Sequence, residues 1–288
     1  MWRPDLYITP EQFRGRLSRL REMEASVLPL DESLIRLEEG SLPPRSVTIT
    51  FDDGFHDFLQ AGLPALSDFG YPATLYLTTH YCYNPRPIIS LILDYVLWKS
   101  GAPTLTIPQY GILTPISPGD PFVRQQAVTK IRTYMEERNM DTAAKDEAVQ
   151  ELAEQLGGDY GEIRNRKIVR VLDPEEVRVV AKGGVDIQLH THRHRTVLDR
   201  SLFTKEIIDN RNRIVELTGK VPVHFCYPSG VYRREYFSWL RECNVKSATT
   251  CDKGMALSDS NVMQLPRVLD DSYMDSVRFA GAVAGVIV

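Results

Sequence analysis

Val47-Thr48-Ile49-Thr50-Phe51-Asp52-Asp53-Gly54 is the stretch on which the fold turns. Its β-branched and aromatic residues favour a strand, and Asp-Asp-Gly marks where that strand ends. Upstream, Thr9-Pro10-Glu11 opens a helix running to Met23 with Phe13, Leu17 and Leu20 at helical spacing. A second helix, Asp31 to Glu39, stops at Gly40, and Pro43-Pro44 leads into a strand expected over Ser46 to Phe51. Downstream, apolar residues from Phe55 to Phe69 predict a helix ended by Gly70, and Ala73 to Leu77 predicts the next strand. Two short strands joined through a helix form a βαβ unit, the building block of a parallel sheet.

The alternation resumes late in the chain. Helix Asp173 to Lys182 leads to strand Val185 to Leu189, helix Leu202 to Leu217, strand Val223 to Tyr227, helix Arg233 to Cys243 and strand Lys246 to Thr249. An α/β barrel or an open parallel sheet fits this order. Between Tyr83 and Arg170 the rhythm breaks. Ile88 to Lys99 reads as helix, Thr104 to Pro118 is rich in Pro, Thr and Gly, and Phe122 to Leu156 reads as two charged amphipathic helices. The expectation is one domain over residues 1–288, interrupted by a helical insertion at 84–170, with plain packing favoured over a lid for the inserted part.

Composition narrows the function. With 43% hydrophobic and 25% charged residues the chain has ordinary globular usage. Its net charge of −4 and pI near 5.9, with no basic stripe, argue against nucleic acid as a partner. No apolar run is long enough for a transmembrane segment or a signal peptide, so the location expected from sequence is cytoplasmic. The apolar stretch from Phe279 to Val288 reads as a buried terminal strand or helix. Cys82, Cys226, Cys243 and Cys251 form no Cys-x-x-Cys pair and read as structural free thiols.

Two acids and two imidazoles carry the chemistry. Asp52 and Asp53 follow one strand, and His190-Thr191-His192-Arg193-His194 follows another, so all lie at strand ends that share an edge of a parallel sheet. Taken alone, the Asp pair reads equally as a turn or as a cap for the helix near Phe55, and the His run reads equally as a solvated loop. Together they are an inventory for binding a divalent metal, with His190 and His194 spaced to face one side of a helical turn or curved loop. Tyr76, Tyr81, Tyr83 and Trp98 are suited to stacking on sugar rings or simply to a core.

These motifs resemble the polysaccharide deacetylase family, also described as the NodB homology domain or carbohydrate esterase family 4. Thr50-Phe51-Asp52-Asp53-Gly54 is similar to its first motif, His190-Thr191-x-x-His194 to its second, and Phe225-Cys226-Tyr227-Pro228-Ser229-Gly230 to a variant of its third. Leu265-Pro266-Arg267-Val268 resembles a late segment of the branch acting on exported poly-N-acetylglucosamine.

The resemblance implies a distorted (β/α)7 barrel and a metal-dependent hydrolase that removes N-acetyl groups from an N-acetylated glycan. It implies Asp53, His190 and His194 as ligands of Zn²⁺, or of another divalent ion such as Co²⁺ or Ni²⁺, and Asp52 as general base. It also implies an oxyanion donor from the Tyr227 amide. Cys226 stands where many relatives carry Arg, so Arg267 is the candidate to orient the base. The family's acid histidine has no counterpart here; His56, His80 and His224 do not match it, with His80 the nearest candidate for facing substrate. A missing first strand through truncation is one expectation, and an inactive member that only binds a glycan, or another carbon–nitrogen hydrolase, is the alternative. Relatives are often exported, which leaves location open.

Overall fold

A computed structural model of the chain describes Trp2, residues 7–84 and residues 86–286. In chain order the elements are α1 (Pro10–Glu22), β1 (Ser26–Val27), α2 (Leu30–Glu38), β2 (Ser46–Val47), β3 (Thr50–Asp53), a π-helical turn (Phe58–Gly62) running into α3 (Leu63–Phe69), and β4 (Thr74–Leu77). Then come α4 (Ile89–Lys99), β5 (Leu105–Ile107), β6 (Ile112–Ile116), α5 (Pro121–Glu137), α6 (Thr142–Gln155) and α7 (Tyr160–Asn165). The chain closes with α8 (Pro174–Lys182), β7 (Asp186–Leu189), α9 (Arg200–Thr218), β8 (His224–Cys226), α10 (Arg234–Glu242), β9 (Ser247–Lys253), β10 (Leu265–Arg267) and α11 (Ser276–Val283). Two compact units result: Met1–Pro4 with Arg86–Val171, and Asp5–Pro85 with Leu172–Val288.

The second unit is a mixed α/β half-barrel. Its six strands run in the order β10-β9-β8-β7-β4-β3, all parallel, and β1 pairs with β2 in a separate parallel ribbon. Central strands of such a sheet are covered on both faces, which explains why all four residues of β4 are buried. Local signals set the element starts. Thr9 caps α1 in a reciprocal box with Gln12, and Asp173 does the same for α8 with Glu176. Gly70 ends α3 in the left-handed region at φ 67.

Several expectations need correction. The strand predicted over Ser46 to Phe51 is two short strands, because β2 pairs with β1 while β3 belongs to the main sheet. The Pro-rich stretch 104–118 contains the antiparallel hairpin β5–β6. The apolar C-terminal stretch is helical as far as Val283, in α11, but largely unburied: Ala282 is buried, whereas Val277 in the helix and Val286 beyond it are exposed; Ile287 and Val288 lie outside the described residues. Among the described residues no helix is long and apolar enough to cross a membrane.

The unit formed around Arg86–Val171 has its own core, with Ile92, Leu93, Val128, Ile131, Val149 and Leu152 buried. Inside it Arg124 Nε donates to Asp94 Oδ1 at 3.0 Å and Trp2 Nε1 donates to the other oxygen at 2.6 Å. Trp98 belongs to this unit, whereas Tyr76, Tyr81 and Tyr83 belong to the other. Tyr76 is fully buried core; Tyr83 is partly exposed beneath the Arg213 guanidinium.

Candidate metal centre

All residues of the candidate site stand at the C-terminal ends of the parallel strands. β3 delivers Asp52 and Asp53, β7 ends just before His190, and β10 ends with Arg267. Asp53 is in the left-handed region at φ 69 and is followed by Gly54 at φ 86. This kink takes the Asp53 side chain off the regular strand alternation. Gly is required at the second position, since a Cβ there would lie 2.4 Å from Leu77 Cδ1.

Asp53 Oδ1 lies 3.3 Å from His190 Nε2 and 3.0 Å from His194 Nε2. One ligand atom from each of these three residues falls within 4.8 Å of the others. The cluster tests well as a cation site. The Cys226 carbonyl, which can only accept, lies 2.8 Å from His190 Nδ1, so Nδ1 carries the proton and Nε2 of the neutral ring presents its lone pair to Asp53. A lone pair and a carboxylate oxygen facing each other repel unless a positive charge stands between them. Asp53 Oδ1 is buried and lacks any partner with hydrogen-bond geometry, as suits an oxygen aimed at an ion. His194 and Asp53 remain about a third exposed.

Without an ion, a proton plays the same part. Burial opposes charge on His190, but Cys226 and the carboxylates of Asp53 and Asp52 outweigh it and raise the imidazole well above its ordinary value. Burial likewise pushes the Asp53 carboxyl up, and the two imidazoles overcome it to hold it far below the usual range.

Asp52 faces a different cation. Arg267 Nη1 donates to Asp52 Oδ1 and Nη2 to Oδ2, both at 2.8 Å, a bidentate pair. Arg267 also donates Nε to the Thr250 carbonyl at 2.9 Å and Nη1 to Thr50 Oγ1 at 3.3 Å. Burial would raise the Asp52 carboxyl, but the guanidinium outweighs it and keeps it below its ordinary value. The Cys226 thiol donates to Asp52 Oδ2 at 3.4 Å, and its sulfur accepts from Arg267 Nη2 at 3.2 Å. Asp52, His190 and Cys226 also form a group of metal-ligand type. There, however, the guanidinium already supplies a fixed positive charge, whereas the Asp53 group has no Arg or Lys paired with it among the described residues.

Tyr227 requires a correction. Its amide donates to the Thr249 carbonyl at 3.1 Å within the sheet, so it is committed to the backbone ladder rather than turned toward a substrate oxygen. Its buried side chain donates to the Met263 carbonyl at 3.0 Å. Cys226, expected to be a plain structural thiol, lies instead against Asp52 and Arg267. The remaining histidines are engaged elsewhere: His56 with Glu176 at 3.1 Å, His192 with Thr79 at 2.9 Å, and His224 with Ser247 at 2.9 Å. His80 packs edge-on against Tyr81 and His192.

Sequence reasoning missed two polar residues on α9. Asn210 Oδ1 accepts from the His190 amide at 2.9 Å, and its Nδ2 donates to the Leu77 carbonyl and Thr79 Oγ1. Glu206 accepts from the Arg193 amide at 2.8 Å and from the Arg193 and Arg195 guanidinium groups. No linear motif contains them; a buried acid and a buried amide four residues apart on an otherwise amphipathic helix are the only trace.

Comparison with known proteins places the chain by fold and by family. Similarity to the poly-beta-1,6-N-acetyl-D-glucosamine N-deacetylase of Staphylococcus epidermidis is 32% identity over 74 residues, 26% of each chain, so the match spans about a quarter of that relative. Among solved structures, the Streptococcus pyogenes deacetylase PplD in complex with acetate superposes with a TM-score of 0.59 at 16% identity, covering 93% of this chain and 83% of that one. IcaB from Ammonifex degensii gives 0.58 at 14% identity, covering 97% and 90%. These likenesses establish a shared fold. The sequence profile of polysaccharide deacetylase matches residues 39–248, a span that holds Asp52, Asp53, His190 and His194, and the chain belongs to the polysaccharide deacetylase family.

Proposed function

We propose that this protein is a metal-dependent hydrolase that removes N-acetyl groups from N-acetylated sugars in a glycan, releasing acetate and a free amine. The observation that carries the reading is the convergence of Asp53 Oδ1 with His190 Nε2 and His194 Nε2 beside an arginine-paired Asp52. Family membership favours the same chemistry. Among glycans, poly-β-1,6-linked N-acetylglucosamine is favoured by the relative from Staphylococcus epidermidis.

Asp53, His190 and His194 would hold the ion, with Zn²⁺ the best match for one carboxylate and two imidazoles, and Co²⁺ or Ni²⁺ as substitutes. Such an ion polarises an acetamide carbonyl and lowers the pKa of water at the site. Asp52 accepts the proton of the attacking water. Oδ2 is occupied by Arg267 and by the Cys226 thiol, so Oδ1, which bonds only Arg267, keeps the lone pair that can accept it. The guanidinium makes Asp52 a weaker base but keeps it ionised through the neutral range, an acceptable exchange where the water is itself acidified. Arg267 also fixes the plane of the carboxylate, so the accepting lone pair points in one direction.

The test is acetate release from poly-N-acetylglucosamine and from chitin oligomers with Zn²⁺ or Co²⁺ added, comparing the protein with its Asp52→Asn variant. Metal-dependent release that the variant loses supports the reading. Equal rates for the two proteins, or release indifferent to chelation, overturn it.

A further inference from the structure

The loop carrying both histidines is strained. Thr191 has φ 61 and His194 has φ 52, and a left-handed backbone costs an L-residue about 1–2 kcal/mol, the β-branched Thr being the worse fit. Without these two turns the chain after β7 would carry His194 away from His190. Strain of this kind persists only where the surroundings over-determine it.

The surroundings are one face of α9. Asn210, fully buried, binds the His190 amide through Oδ1 and ties the end of β4 to the same point through the Leu77 carbonyl and Thr79 Oγ1. Thr79 Oγ1 in turn meets His192 Nδ1 at 2.9 Å. Glu206, also buried, takes the Arg193 amide at 2.8 Å, Arg193 Nη1 at 3.1 Å and Arg195 Nε at 2.9 Å, while its backbone carbonyl takes the His192 amide at 3.2 Å. Thr191 Oγ1 closes the turn by accepting the Arg195 amide at 3.0 Å. Three amides of the loop, those of His190, His192 and Arg193, therefore end on two residues one helical turn apart.

We propose that Glu206 and Asn210 form a clamp on α9 that holds the His190–Arg195 turn in its ion-receiving shape. They are positioning residues for metal binding, although neither belongs to the ligand set. The inference rests on the metal reading above and adds to it the source of the ligands' pre-organisation. Outer partners of ligands set affinity because they fix ring orientation before the ion arrives. Removing either clamp residue lets the strained turn relax and the two imidazoles diverge.

The experiment measures Zn²⁺ affinity by competition with a chromophoric chelator, and the visible spectrum of the Co²⁺ form, on the full chain. Glu206→Gln, which puts an amide NH₂ among the arginines, and Asn210→Ala are compared with two controls on the same helix. Exposed Lys205→Ala tests the helix surface. Phe203→Leu damages the core where Phe203 stacks on Tyr236, 4.4 Å between centroids. The clamp variants are expected to lose about 10–100-fold in affinity and to show an altered Co²⁺ spectrum. Lys205→Ala should match the parent, and Phe203→Leu should lower the melting temperature while leaving affinity unchanged. Wild-type affinity and spectrum in both clamp variants overturn the clamp, as does an affinity loss in Phe203→Leu that scales with melting temperature as theirs does. A parent protein that takes up no ion overturns the metal reading itself, and the clamp with it.

Discussion

Arg267 and Asp52 belong to opposite edge strands of the six-stranded sheet, yet their side chains are joined by two 2.8 Å hydrogen bonds. A flat sheet of this width would hold its edges roughly 24 Å apart, at about 4.8 Å per strand step. The pair therefore both measures and secures the curl. The residue that fixes the plane of the Asp52 carboxylate also ties β10 to β3.

Arg267→Lys tests this double role. A lysine replaces a planar two-pronged donor with a point charge and cannot hold the carboxylate plane. Deacetylation is expected to fall by about 10²-fold, the lower end for a mis-set general base. Urea unfolding should show a loss of about 2–3 kcal/mol, below the figure for a wholly buried pair because Asp52 is partly solvated. Zn²⁺ affinity should stay within about threefold, since the ligand set is untouched.

The two adjacent aspartates should separate cleanly by metal content. Asp53→Asn is expected to abolish uptake of the ion, and Asp52→Asn to retain one ion per chain without turnover, as read by elemental analysis after gel filtration. Asn tolerates the left-handed backbone that Asp53 adopts, so lost uptake would report ligand chemistry rather than a refolded turn. Equal metal content in the two variants would contradict the assignment.

Stability of the ion-free protein should depend on pH with a definite sign. The raised value of His190 means that its protonated form stabilises the fold; that contribution is complete below about pH 6.5 and is lost as pH rises through the folded value. The depressed carboxyls of Asp52 and Asp53 contribute in the opposite sense, fully above about pH 4 and fading as pH falls through their folded values. Zn²⁺ must displace the His190 proton, so the rise in melting temperature on adding Zn²⁺ should grow from pH 6 to pH 8. Differential scanning fluorimetry with and without chelator reads this directly; a zinc effect that shrinks over that range would count against the assignment.

Gly54→Ala should be among the most damaging small substitutions. The added methyl meets Leu77 Cδ1 at 2.4 Å in a backbone with φ 86. A combined cost of about 2–4 kcal/mol is expected from left-handed strain and overpacking, measurable as a shift in the urea midpoint. Because Gly54 adjoins Asp53, the same variant should bind Zn²⁺ more weakly even where it is folded.

Much of the site was legible because its chemistry is written in contiguous residues. Thr50–Gly54 and His190–His194 each combine a strand with the turn that ends it, so residue type and location could be read together. The oxyanion role given to Tyr227 failed because sequence does not tell which amides the sheet consumes. Strand β10 escaped as a strand because three residues centred on Pro266 give no alternation to read. The β5–β6 hairpin was hidden by Pro108 and Gly111, which look like loop when their flanking strands are short. Glu206 and Asn210 were invisible for a deeper reason: their partners, backbone amides and carbonyls together with the side chains of Arg193, Arg195 and Thr79, lie on other elements and leave no pattern in α9 itself.

The arginine–aspartate bridge has a mechanical consequence. Among the described residues each neighbouring pair of strands in the half-barrel is laced by main-chain bonds, while its edges β3 and β10 are joined by the side-chain bonds of Arg267. Breathing of the curled sheet is thus cheapest at that seam, and any excursion that parts it draws Asp52 away from Arg267, which on the proposed reading costs activity. Warming or mild denaturant should silence the enzyme while its helices and inner strands are still intact.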